Sequence, residues 1–328
     1  MRQDIKILVI FLIVQFLGLL LATQVYNNQP SFIIQIYQVV APSSFVLFYA
    51  FAIVLFALII IIIMRTKSSR LFFLLMEAIA IFAGSFFTLI IAIGALAGQS
   101  AQAVVSLLFL YFPNTTILSV FVASAVIAFL IIAAKWKIPR MRNFASIIAS
   151  VGIGLIVGLQ ISFVASLVFL LIFAAYDFIA VFITKHMVAM ANAAMSMNLA
   201  LLVGVTDVEA VPKESLKPHE RELVSKQRAA FANHKPLLKE LEKEKRVPLI
   251  GQRALGNGDL AIPLIVSVAA YQVGESFIPC LVVATGAVFG LLLNFYILEK
   301  FRRLLPAIPA LAFGIIMALG VYIIAVSV

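Results

Sequence analysis

The sequence predicts an all-α polytopic membrane protein with nine transmembrane helices, a cytoplasmic N-terminus and an extracytoplasmic C-terminus. Three observations carry this. Of 328 residues, 64% are hydrophobic and 12% charged, with a mean hydropathy of +1.16, whereas a soluble domain carries about 25% charged residues. Apolar runs recur at lengths that span a bilayer. The 24 lysines and arginines all fall at the N-terminus and in every second connection.

The apolar runs lie near 5–22, 45–64, 71–97, 114–134, 144–184, 254–271, 278–298 and 307–327. Run 144–184 has no charge before Asp177. As one helix it would be about 60 Å long, twice a hydrocarbon core. It is therefore two spans, with a turn expected near Gly158-Leu159-Gln160-Ile161-Ser162. Nine spans place the basic groups consistently: Arg2 and Lys6; Arg65, Lys67 and Arg70; Lys135, Lys137, Arg140 and Arg142; twelve in 185–253; and Lys300, Arg302 and Arg303. The other connections and the C-terminus have none, and the positive-inside rule then sets the orientation. "MRQDIK" and the run after it resemble a signal peptide. The run is long for one, and Leu20-Leu21-Ala22 is a poor cleavage site, so it is read as a retained first span.

Three parts follow. Residues 1–184 form an N-terminal membrane part and 253–328 a C-terminal one. Residues 185–252 form a cytoplasmic segment between them. Within it, 187–205 puts Met187, Met190, Ala194, Met197 and Leu201 at helical spacing, which predicts an interfacial helix. The charged stretch 213–246 reads as a mobile loop with some helix near its end.

The basic charge, formally +10, sits where topology requires it, which argues against nucleic-acid binding. The single cysteine, Cys280, excludes an intramolecular disulfide and a multi-cysteine metal site. No metal and no cofactor is expected.

Four acidic residues fall in or near spans: Glu77, Asp177, Asp259 and Glu275. Glu275 is at an outer turn, and Glu77 is near enough to a basic connection to snorkel or pair. Asp177 is eight residues before Lys185, and Asp259 is six after Arg253. Counted as helix, these are about 12 and 9 Å from the cytoplasmic edge. Two carboxylates thus reach one depth, with no basic residue in either span. A shared proton, water or a bound cation can hold such a pair. A shared proton is the arrangement of an aspartic protease, in which one carboxylate activates water and the other polarises the peptide carbonyl. Gly256 and Gly258, flanking Asn257, allow the backbone to bend and a substrate strand to approach. Pro309, Ala310 and Leu311 come to the same level from the last span. Pro309 is expected to disturb the first turns there and free backbone groups.

Tyr176-Asp177, Gly256-Asn257-Gly258-Asp259 and Pro309-Ala310-Leu311, in this order on spans six, seven and nine, resemble the presenilin and signal-peptide-peptidase family of intramembrane aspartyl (GxGD) proteases. "YDFIAVFITKHM" and "GNGDLAIP", with Leu260 directly after the motif, look most like its archaeal members. The resemblance implies that Asp177 and Asp259 are the catalytic dyad and that Tyr176 packs beside them. It further implies that the residues around Asp259 and Pro309 to Leu311 shape the substrate site. Transmembrane helical proteins are then the substrates, in a multi-pass protein of the cell membrane, an archaeal plasma membrane by this likeness. The lipid bilayer is the partner; self-association stays open, and no obligate accessory subunit is expected.

Rival chemistries lack residues. The three histidines, His186, His219 and His234, lie in the cytoplasmic segment, away from any serine–histidine pair within the membrane, and "HERE" lacks the second histidine of HExxH. A cation or proton transporter using the two aspartates remains the alternative from another class.

Overall fold

The computed structural model describes residues 2–28, 69–96, 115–183, 202–212, 246–273, 276–301 and 306–327. Eight α-helices run in chain order: α1 (Arg2–Asn28), α2 (Ser69–Leu96), α3 (Thr115–Lys137), α4 (Pro139–Gln160), α5 (Phe163–Phe178), α6 (Asn257–Ala269), α7 (Phe277–Phe301) and α8 (Ile308–Ser327). Seven of them, α5 taken together with the turn through Ile183 that follows it, are long and apolar enough to cross a membrane; α6 is too short by that measure. The second expected span, 45–64, lies outside the described residues, as do most of 187–205 and 213–246.

The chain divides into two compact units. One, Met1–Ile7 with Gly204–Ala254, contains most of a two-stranded sheet of β1 (Leu202–Pro212) and β2 (Arg246–Gly256). This sheet departs from the all-α expectation. Residues 202–205 are strand and do not continue the helix expected over 187–205. Residues 254–256 are also strand, so the helix expected from 254 begins only at Asn257.

The other unit, Leu8–Val203 with Leu255–Val328, holds the helices. Its centre is α6, buried at every residue from Asp259 to Ala269. Helices α4, α5 and α7 pack against it. Leu264 wedges between Gly18 of α1 and Gly154 of α4; a Cβ at Gly154 would lie 2.6 Å from its Cδ2. Helices in a bilayer gain little from hydrophobic transfer, so close backbone approach at small residues is what holds them. The same device joins α2 to α4, where Gly84 meets Ala149 and Gly152, and α7 to α8 through Gly286, Gly290 and Gly314.

Local rules set the breaks. Ile138 is extended and precedes Pro139, which opens α4 at a position where its missing N–H costs nothing. The long run 144–184 breaks where expected, at Ile161-Ser162. Ser162 caps α5 by accepting from Ala165 N–H at 3.3 Å. Gln272 holds this turn from the end of α6: its amide donates to the Ile161 carbonyl at 2.9 Å and accepts from Phe163 N–H at 3.2 Å. Tyr26 of α1 donates to the Val268 carbonyl at 2.9 Å and stacks on Tyr271. Glu77 of α2, fully buried, forms an ion pair with Lys135 of α3, so it pairs rather than snorkels. Apolar side chains such as Phe16, Phe129 and Val321 remain exposed, as suits helices solvated by hydrocarbon.

Candidate active site

Asp177 sits one residue from the end of α5. Directly after it the helix widens into a π-helical turn, Ile179–Ile183, a distortion that recurs at functional sites. The carboxylate is 1% exposed. Its Oδ2 accepts a hydrogen bond from Ile308 N–H at 3.2 Å. Ile308 is the first residue of α8, so its amide is one of the donors that a helix N-terminus leaves without an intrahelical partner. Asp177 thus caps α8 from another helix, and the positive end of the α8 dipole points at it. Its Oδ1 is buried and has no hydrogen-bond partner among the described residues.

Asp259 is the third residue of α6 and 7% exposed. Its Oδ2 turns back to accept from Gly256 N–H at 3.1 Å. This is half of a capping box; Gly256 has no side chain to return the bond. The second carboxylate therefore also lies at a helix N-terminus. Helices α5 and α6 pack together, and Asp177 is near enough to act electrostatically on Asp259. Among the described residues no cation pairs with either.

The glycines of the motif do separate work. A Cβ at Gly256 would approach Asp259 Oδ2 to 3.2 Å, so glycine here leaves the carboxylate room to fold back onto the backbone. Gly258 is exposed, and a Cβ there would meet nothing closer than 4.0 Å. Among the described residues, a Cβ at either position would meet no atom of another helix within 4 Å. Asn257 is held by Ser146 of α4, whose hydroxyl hydrogen-bonds its Oδ1. Leu260 is fully buried. Tyr176 is half-buried beside Asp177 and within its electrostatic reach.

Pro309 corrects an expectation. It is the second residue of α8, where a helix needs no donor, so it begins the helix without disturbing it. Leu311 N–H already bonds the Ala307 carbonyl at 3.1 Å. What this segment offers is the Ile308 amide, one residue before the motif read from the sequence. Ala310 and Leu311 lie backbone-to-backbone on Gly290 of α7.

A family model described as "Signal-peptide peptidase, presenilin aspartyl protease" matches residues 8–328. The chain belongs to this family. It is a presenilin-type intramembrane aspartyl protease. Two solved structures, both described as a presenilin family intramembrane aspartate protease, share the fold. One, in a P2 crystal form, matches at TM-score 0.54 and 19% identity, covering 98% of this chain and 97% of its own. The other, in a C222 form, matches at TM-score 0.52 and 16% identity, covering 96% and 94%. No curated protein sequence matches.

Four residues at or around this presenilin-type site were not singled out from sequence. Gln15 is the one amide in the apolar run 5–22, which is a usable signal. Gly286 and Gly290 form a GxxxG pair on α7, a known helix-contact pattern. Ser146 carries no local mark.

Proposed function

We propose that Asp177 and Asp259 are the catalytic dyad and hydrolyse peptide bonds within transmembrane segments of other membrane proteins. The observation that carries this is a pair of buried carboxylates on packed helices, each tied by one oxygen to a backbone amide and neither paired with a cation among the described residues. Two such groups share one proton. The ionised member takes a proton from water as its oxygen attacks the peptide carbonyl. The protonated member donates a hydrogen bond to the carbonyl oxygen. Collapse of the tetrahedral intermediate breaks the C–N bond, and the dyad returns a proton to the leaving nitrogen. The pair titrates as a unit, so neither role belongs to one residue.

The substrate helix enters from the bilayer and unwinds near the dyad. Its freed amides need partners, and pairing as a strand with enzyme backbone would satisfy them. The open space over Gly258 suits such an approach. Tyr176, Asn257, Leu260, Pro309, Ala310 and Leu311 shape the groove around it. Water reaches the dyad from the cytoplasmic side.

Nine spans with a cytoplasmic N-terminus and an external C-terminus, membrane parts 1–184 and 253–328, and a cytoplasmic segment 185–252 complete the reading, supported by the partition of lysine and arginine. The enzyme works in a cell membrane of archaeal type, without obligate accessory subunits. Purified Asp177→Asn and Asp259→Asn variants, incubated with a transmembrane test peptide and examined by mass spectrometry, should give no products. Cleavage at the wild-type rate by either variant refutes the dyad. Accessibility of single cysteines placed at 67 and 275 tests the orientation.

A further inference from the structure

Helix α6 contains Pro263. Proline has no N–H, so the Asp259 carbonyl four residues earlier loses its intrahelical donor, and the ring crowds that carbonyl. The turn that carries Asp259 is thus joined to the rest of α6 by one bond fewer than an ordinary helix.

Gln15 of α1 lies across this weak point. It is 3% exposed. Its Nε2 donates to the Leu260 carbonyl at 3.3 Å, on the Asp259 side of the proline. Its Oε1 is 3.4 Å from Ser267 Oγ, on the far side. Ser267 has one hydroxyl proton and also lies 2.9 Å from the Pro263 carbonyl, so it shares that proton between two acceptors. One turn along α1, Gly18 receives the Leu264 side chain, which allows the close approach that the Gln15 amide needs. An amide in hydrocarbon is costly unless bonded, so this side chain holds its partners firmly.

We infer that Gln15 is a positioning residue for Asp259: it splints α6 across Pro263 and fixes the turn that presents the carboxylate. The inference rests on the role proposed above for Asp259. Methionine nearly matches glutamine in volume and removes both contacts, so Gln15→Met isolates the amide. In the full-length enzyme this variant should lower kcat about tenfold, with KM and the unfolding temperature close to wild type, as expected when geometry rather than binding is lost. Affinity for an aspartyl-protease transition-state inhibitor should fall by the same factor. Hydrogen exchange at the amides of residues 259–262 should quicken. Ser267→Ala, which removes the weaker contact, should lower kcat about two- to threefold.

Wild-type kcat and wild-type exchange in Gln15→Met overturn the inference. So does a kcat loss that follows a lowered unfolding temperature and recovers in a cooler assay, since that is a merely structural role. If the wild-type enzyme cleaves no peptide, the proteolytic reading fails, and the exchange measurement still decides whether Gln15 splints α6.

Discussion

Replacing Gly290 by alanine should slow the enzyme by displacing the backbone of Ala310 and Leu311. A Cβ at Gly290 would lie 2.7 Å from Leu311 Cα and against the Ala310 carbonyl, whereas ordinary contact begins near 3.4 Å. Both obstacles are backbone, which cannot rotate aside, so α8 must retreat by about 1 Å or strain locally, at roughly 1–3 kcal/mol. The Ile308 N–H to Asp177 Oδ2 bond is 3.2 Å long. A retreat of that size along it leaves roughly 4 Å, beyond hydrogen-bonding range. Asp177 would lose the Ile308 amide, and the start of α8 would move away from it. A misplacement of about 1 Å can cost roughly 100-fold in rate, so cleavage of a transmembrane peptide in proteoliposomes should fall by about 10- to 100-fold. Gly320→Ala is the control, since nothing lies within 4 Å of its Cβ; it should leave rate and unfolding temperature unchanged. Wild-type kcat and inhibitor affinity in Gly290→Ala would refute the claim that the α7–α8 contact places the start of α8.

Two further outcomes concern stability. Glu77→Gln or Lys135→Met alone should destabilise the protein by about 3–5 kcal/mol, because each strands a buried charge, while the double variant should recover much of the loss; thermal unfolding in detergent with all three variants checks this, and additive losses would contradict it. Gln272→Leu removes both bonds at the α4–α5 turn and should cost about 1–3 kcal/mol. Its hydrogen exchange should rise at Ile161 and Phe163 before anywhere in α2 or α3, and uniform change across the helices would count against a local tie.

Much of this architecture is legible because the bilayer imposes simple rules. Run length exposes the helices, and the excess length of 144–184 exposes the turn at Ile161-Ser162. The candidate carboxylates stand out because charge is so rare in these segments. The strands are not legible in this way, because the helical period from Met187 to Leu201 masks the start of β1 at Leu202. "LVGVTDVEAVP" has valine at 203, 205, 208 and 211, and this β-branched content favours strand over helix. Depth by residue counting also assumed helix through 254–256, where the chain is extended. Pro309 was overread: a proline disturbs a helix only beyond its first turn, and where α8 starts depends on Ile308 meeting Asp177, a contact between residues 131 apart. The roles of Gly256 and Gly258 likewise do not follow from sequence, because glycine in a span serves packing as readily as access.

That long-range contact bears on how the protein is made. Asp177 and Asp259 both leave the ribosome before Ile308, so under the proposed mechanism the two carboxylates exist in the nascent chain while the amide that holds Asp177 does not. The site is completed only by α8. Until α8 is made, the Asp177 carboxylate lacks the backbone amide that caps it.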